Sequence, residues 1–204
     1  METGRLHLIW EETRRLGEDL EPVLAAGVPT FQLRLKRGTD RERFDAARLA
    51  AEICARTGTR LVVNDRCDLA LAVGADGVHV GEDDLPVAVA RALVGPGAMV
   101  GATVRNPEAA LSAAADGASY LGAGPVYPSS TKPDLPPPIG PEGIARIAQV
   151  VEIPVIAIGG VTPDRVPELL SAGAYGVAVV GSVWSDPRPR AAVEELLAAL
   201  EVGV

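Results

Sequence analysis

Short runs of aliphatic and β-branched residues recur along the chain at 6–9, 30–35, 61–64, 77–80, 99–103, 120–123, 154–158 and 176–180. Runs of this length bounded by turn residues predict buried strands. Between most of them lie Ala-, Leu-, Glu- and Arg-rich stretches with helical spacing, at 41–57, 85–93, 107–115, 141–150, 163–172 and 187–200. Strand and helix in alternation predict a parallel sheet. Eight such units in 204 residues predict an α/β fold, a closed (β/α)8 TIM barrel near the short end of that fold's range, as a single domain over 1–204.

An internal echo supports the alternation. Gly74-Ala75, Gly117-Ala118 and Gly173-Ala174 each stand between a helical stretch and a strand that begins two residues later. Glycine suits the left-handed position just after a helix. An open doubly wound sheet would use the same turns, so the echo alone does not choose between the two architectures. The segment 125–141 breaks the pattern with seven prolines. It is too rigid for a helix and too long for a plain connection, and it predicts a functional loop.

In the second strand segment Phe31, Leu33 and Leu35 alternate with Gln32, Arg34 and Lys36. A period of two puts the sets on opposite faces. In a barrel the apolar set faces the helices, and the polar set points inward and steps toward the mouth. Two inward cations need anions, and Arg and Lys are common phosphate partners. A solvated edge strand would carry the same teeth.

Other candidate chemistry sits at the C-terminal ends of later strands. The third ends in Asn64-Asp65-Arg66, and the fourth runs Val78-His79-Val80-Gly81 into Glu82-Asp83-Asp84. Asp65 and Asp84 form a carboxylate pair suited to Mg2+, which takes oxygen ligands and substrate phosphates. Both residue types also serve as helix N-caps. His79 faces inward, where a strand histidine commonly has a structural role. After the sixth strand, Ser129, Ser130, Thr131 and Lys132 place hydroxyls and a cation in the proline-rich loop. The seventh and eighth strands end in Gly159-Gly160 and Gly181-Ser182. In barrels the loops after these two strands frequently bind phosphate through backbone N–H groups, and glycine lets the backbone approach the oxygens.

Composition narrows the class. Net charge is −8 and aromatics are 3%, which opposes a nucleic-acid surface built on a basic stripe or stacking platforms. No apolar run reaches the ~18 residues of a membrane span. No secretory leader pattern opens the chain. Cys54 and Cys67 form no CxxC pattern, so a reduced cytoplasmic setting and buried, inert thiols are expected. His7 has no evident partner for metal or nucleophilic chemistry.

The set Gln32-Leu33-Arg34-Leu35-Lys36, Asn64-Asp65-Arg66, Ala75-Asp76-Gly77-Val78-His79-Val80-Gly81, Gly124-Pro125-Val126-Tyr127, Thr131-Lys132-Pro133-Asp134 and Ile158-Gly159-Gly160 resembles the thiamine-phosphate synthase family over nearly the whole chain. The resemblance implies a transferase of thiamine biosynthesis. It joins hydroxymethylpyrimidine diphosphate to a thiazole phosphate and releases diphosphate. It further implies Mg2+ held by Asp65 and Asp84, and diphosphate held by Arg34, Lys36, Asn64 and Lys132 with Thr103 as a hydroxyl donor. Gln32 and His79 would line the pyrimidine site. Ser129, Thr131, Gly160, Gly181 and Ser182 would surround the thiazole phosphate.

Departures from the family pattern are Leu35 for Glu, Glu82 for Gln, Thr103 for Ser, Ser129 for Thr, Gly181 for Ser, and Trp10-Glu11 for Thr-Asp. The sister thiazole tautomerases share the fold and isomerise a carboxythiazole phosphate without diphosphate or Mg2+. A non-catalytic phosphate-binding regulator is the third reading. The expected ligands are small phosphorylated molecules in all three, and related barrels often self-associate, so a homo-oligomer stays open.

Overall fold

Local signals set where the elements begin and end. The longest helix, α2 (Asp40–Thr57), opens on a capping box. The Thr39 hydroxyl accepts from the Glu42 N–H at 3.3 Å, and the Glu42 carboxylate accepts from the Thr39 N–H at 2.7 Å. Two orphan donors are thereby satisfied reciprocally. The helix closes on Gly58 in the left-handed conformation. α5 (Pro107–Ala115) starts with Asn106 accepting from the Ala109 N–H at 2.8 Å and proline in its first turn. Gly74, Gly117 and Gly173 all have positive φ, as the repeated Gly-Ala turns predict.

The computed structural model describes residues 3–11, 16, 20–129 and 136–201. Its strands are β1 (Leu6–Glu11), β2 (Thr30–Arg34), β3 (Arg60–Asn64), β4 (Gly77–Val80), β5 (Met99–Val104), β6 (Tyr120–Ala123), β7 (Val155–Ile158) and β8 (Gly176–Val179). They pair in parallel in sequence order, and β8 closes onto β1. The remaining helices are α1 (Leu20–Leu24), α3 (Cys67–Val73), α4 (Val87–Val94), α6 (Gly140–Ala148), α7 (Val166–Ser171), α8 (Gly181–Trp184) and α9 (Pro189–Glu201), with a 3-10 turn at Pro163–Arg165.

The predicted closed barrel is therefore correct, and the open sheet is excluded. Several boundaries differ. β1 runs two residues past the expected end, to Glu11. The stretch expected as one helix at 163–172 is a 3-10 turn followed by α7, because Pro167, the second residue of α7, has no N–H with which to carry an α-helical bond back to Pro163. α1 and the one-turn α8 were not expected, being too short to show a period.

Closure also settles which way β2 faces. It pairs with β1 and β3, so it is no edge strand. Phe31 and Leu33 belong to the main apolar core between sheet and helices, and Leu35 packs against it. Gln32 and Arg34 lie on the other parity. A small second cluster, Ile9, Tyr120, Ile156 and Ala178, fills part of the barrel interior. Cys54 and Cys67 are free and buried, and burial pushes the Cys54 thiol up to about 12.

Candidate active site

The C-terminal ends of the strands enclose a cavity of about 690 Å³, within the size range of small-molecule sites. Of the expected residues, Gln32, Arg34, Lys36, Asn64, Asp65, His79, Asp84, Thr103, Ser129, Gly160, Gly181 and Ser182 all line it. Thr131 and Lys132 fall outside the described residues.

One rim is ionic. The Gln32 amide donates to Asn64 Oδ1 at 2.5 Å, and the Arg34 guanidinium donates to Glu11 Oε1 at 2.7 Å. Lys36 Nζ lies 2.5 Å from Asp65 Oδ2 and 3.9 Å from Asp84 Oδ1. The ammonium thus stands beside two carboxylates from different strand ends. Neither carboxylate is a helix cap. The N-cap positions are Arg66 for α3 and Pro86 for α4, and neither side chain makes a capping hydrogen bond. Asp84 instead accepts from the Gly81 N–H at 2.8 Å. Asp65 has a φ of 66° and donates its own N–H to the His79 carbonyl at 2.8 Å. A non-glycine residue in the left-handed region is uncommon, although Asp tolerates it better than most. Here the turn aims its carboxylate at Asp84.

The two acids divide their proton affinity unequally. Burial, and next the hydrogen bond with Asp84, raise the Asp65 carboxyl above its ordinary range, against the pull of Lys36. Burial works against ionisation of Asp84 too, but the hydrogen bond from Asp65 and then the Gly81 N–H outweigh it and hold Asp84 low. Adjacent carboxylates that cannot both ionise freely form a site for a cation. Among the described residues no group of three or more His, Cys, Asp or Glu could hold a metal. A site of two carboxylates suits a hard ion that completes its shell with substrate phosphate oxygens, as Mg2+ commonly does. The donor set fits that ion on those terms.

The opposite rim is made by glycine turns. Gly159 and Gly160 have φ of 97° and 66°. A Cβ on Gly159 would stand 2.6 Å from Pro125 Cβ, and one on Gly160 would stand 2.6 Å from the Pro128 carbonyl oxygen. Besides phosphate approach or a tight strand-to-helix turn, the proline-rich loop packed on them is a further reason for glycine here. That loop is pinned by hydrogen bonds from the Val126 N–H to Ile158 O (2.8 Å) and from the Tyr127 N–H to Gly159 O (3.0 Å). Arg105 also ties it, donating to Pro137 O at 2.7 Å.

After β8, Gly181 and Ser182 begin α8. This turn is fixed against β1 by the Trp184 indole N–H, which donates to Ile9 O at 2.8 Å, and by an edge contact between Trp184 and Trp10. Among the described residues the Ser182 hydroxyl is buried without a hydrogen-bond partner. Buried hydroxyls are nearly always satisfied, and a phosphate oxygen would satisfy this one.

Between the rims His79 joins Thr103 at 3.0 Å and Tyr120 at 3.1 Å. Burial lowers the His79 imidazole to about 4, so the ring is neutral.

The cavity has lining residues that the sequence reading did not assign. Glu11 was noticed only as a departure, yet the alternation His7, Ile9, Glu11 along the first strand puts it inward. Arg105 shares the parity of Thr103. Arg165 has no such signal. It reaches the site because the 3-10 turn after β7 brings it back, where it stacks 4.3 Å over the Tyr127 ring and donates to Gly160 O.

Comparison with known proteins finds relatives in sequence and in fold. The sequence model of a family described as thiamine monophosphate synthase matches residues 6–183. The thiamine-phosphate synthase of Salinispora arenicola is 48% identical over 204 aligned positions, covering 97% of each chain. That of Salinibacter ruber is 40% identical and covers 97% of this chain and 89% of its own. Among solved structures, the thiamine phosphate pyrophosphorylase from Pyrococcus furiosus superposes with a TM-score of 0.86 at 37% identity, over 98% of this chain and 96% of its own.

Proposed function

Because the chain belongs to the thiamine-phosphate synthase family, a family of transferases, we propose that its barrel mouth joins hydroxymethylpyrimidine diphosphate to a thiazole phosphate and releases diphosphate. The observation that carries this reading is that one cavity is lined by Arg34, Lys36, Asp65 and Asp84 on one rim and by the Gly160 and Gly181-Ser182 turns on the other. Two phosphorylated molecules placed on these rims meet in the middle.

The residue roles follow from that placement. Arg34, Lys36 and Asn64 hold the diphosphate, and Thr103 gives it a hydroxyl. Lys132 is assigned to the same group by its motif. Asp65 and Asp84 hold Mg2+, which when bound neutralises charge on the departing diphosphate. Gln32 and His79 line the pyrimidine. Ser129, Gly160, Gly181 and Ser182 receive the thiazole phosphate, with Thr131 from the loop.

Bond breaking to diphosphate leaves a cation delocalised on the electron-rich pyrimidine, and the thiazole nitrogen captures it. No protein group needs to take a proton in that sequence. The protein contributes orientation of the nitrogen and stabilisation of the leaving anion. A buried, neutral His79 fits this, because a second cation beside the pyrimidine would oppose the developing charge.

The tautomerase reading leaves the acid pair, Arg34 and Lys36 without a role. The charge balance of −8 supports small phosphorylated ligands over nucleic acid. Among the described residues no helix is long and apolar enough to cross a membrane. We take residues 1–204 as a single barrel domain and the cytoplasm as its setting.

The test is a product assay with both substrates. Thiamine phosphate and diphosphate are expected in equal amounts with Mg2+, and none with EDTA. Absence of product refutes the assignment, and conversion of carboxythiazole phosphate in EDTA would replace it with the isomerase. Undiminished turnover by Asp84→Ala would remove only the metal role.

A further inference from the structure

The barrel interior carries a hydrogen-bonded chain that the proposed reaction does not by itself explain. Tyr120 is 1% exposed. Its hydroxyl lies 3.1 Å from His79 Nδ1, and no other hydrogen-bond partner of that hydroxyl is found among the described residues. His79 Nε2 lies 3.0 Å from Thr103 Oγ1. Thr103 opens onto the cavity.

The strands make room for this chain. Gly101 of β5 lies directly under it, and a Cβ there would overlap both Tyr120 Oη and His79 Nδ1. A Cβ on Gly122 of β6 would stand 3.0 Å from His79 Cε1. Interior positions of such barrels are usually filled by bulky branched residues. Glycine at both places is what the paired rings require. His7 packs edge-on against Tyr120 at 4.9 Å and fixes the ring from the other side.

The polarity of the chain follows from counting donors. A neutral imidazole has one donor nitrogen and one acceptor nitrogen. If Nδ1 carried the proton and gave it to Tyr120, the phenol hydrogen would be buried with nothing to receive it, which is the costly outcome for a polar group. Tyr120 therefore donates to Nδ1. Nε2 then carries the ring proton and donates to Thr103. The Thr103 oxygen accepts, and its own hydrogen turns to the cavity.

We propose that Tyr120 is a positioning residue: it fixes the tautomer of His79 and so holds the Thr103 hydroxyl as a donor toward a phosphate oxygen of the diphosphate substrate. The proposal deepens the reading above and depends on it for the identity of the anion. Phe in place of Tyr120 keeps the ring and loses only the direction.

The test uses the full chain labelled with 15N. The chain has two histidines, and a long-range 1H–15N spectrum reports the protonated nitrogen of each, with His79→Asn to assign them. The wild type is expected to carry the His79 proton on Nε2 alone, and Tyr120→Phe to show an added Nδ1-protonated form. Calorimetry with inorganic diphosphate and Mg2+ gives the consequence: about fivefold weaker binding in Tyr120→Phe, about tenfold in Thr103→Val, and no further loss in the double variant. A wild-type His79 protonated on Nδ1 overturns the proposal whatever the stability of the variants. So do additive losses in the double variant. Neither readout needs turnover, so a wild type that makes no thiamine phosphate refutes the synthase reading separately.

Discussion

Gly160→Ala tests whether the glycine turn after β7 shapes the thiazole-phosphate site through the loop packed on it. Gly160 has a φ of 66°, and an added Cβ would stand 2.6 Å from the Pro128 carbonyl oxygen and 2.8 Å from Tyr127 Cβ. The left-handed backbone alone costs an alanine about 1–2 kcal/mol. Forcing atoms into filled space adds about 1–3 kcal/mol. Gly58 separates the two, because its φ is 71° and nothing lies within 4 Å of the added Cβ. For a domain of this size 1 kcal/mol moves Tm by about 2–4 °C, so Gly58→Ala should lose about 4 °C and Gly160→Ala about 10 °C. The extra strain is relieved by pushing Pro128 outward, which carries Ser129 away from the cavity. A displacement near 1 Å is enough to weaken a positioned contact severely. Steady-state assays should show KM for the thiazole phosphate raised about tenfold while KM for the pyrimidine diphosphate stays within about twofold. Equal Tm losses at the two glycines, or an unchanged thiazole-phosphate KM in folded Gly160→Ala, would refute the reasoning.

Three further outcomes are expected. Asp65→Asn should lower turnover about a hundredfold yet raise Tm at pH 8. The elevated carboxyl of Asp65 means that its ionised form opposes folding, and Asn removes that charge; a lower Tm in this variant would count against the crowded pair. His7 and His79 are depressed by burial to about 3 and about 4. Their neutral forms therefore favour the fold fully above the unfolded value near 6.5, and that contribution falls as pH drops through 6.5 toward 4, by up to about 1.4 kcal/mol per pH unit for each ring. Thermal melts should show this decline, and His79→Gln should flatten part of it; parallel curves would contradict it. Arg34→Lys should raise KM for the pyrimidine diphosphate about tenfold through loss of the planar donor fork. Its Tm should change little, because the Arg34–Glu11 pair is partly open to solvent, 21% and 22% exposed.

The barrel was legible because its evidence is periodic. Eight apolar runs, and turns such as Gly74-Ala75, state a repeated strand–helix plan without help from distant contacts. The inward set Gln32, Arg34 and Lys36 was legible for the same reason: a strand's period of two decides the face once closure is assumed. Residues whose position depends on tertiary placement were not legible. Arg165 enters the site only because a 3-10 turn folds back over Gly160. The one-turn helix at Ser182 is too short for any periodic pattern, and its position depends on the Trp184 contact with Ile9. Tyr120 reads as an apolar strand residue, and its link to His79 requires three strands to be in register. Glu11 was within reach of the sequence, since Trp10 carries the apolar run past Ile9 and the first strand's alternation then places Glu11 inward.

The central claim is that two phosphate groups occupy opposite rims of one mouth. A crystal structure of the protein with thiamine phosphate, diphosphate and Mg2+ measures this directly. Diphosphate is expected against Arg34, Lys36, Asp65 and Asp84, and the phosphate of thiamine phosphate against Gly160, Gly181 and Ser182. Both anions on the same rim, or either one bound outside the barrel mouth, would contradict the account.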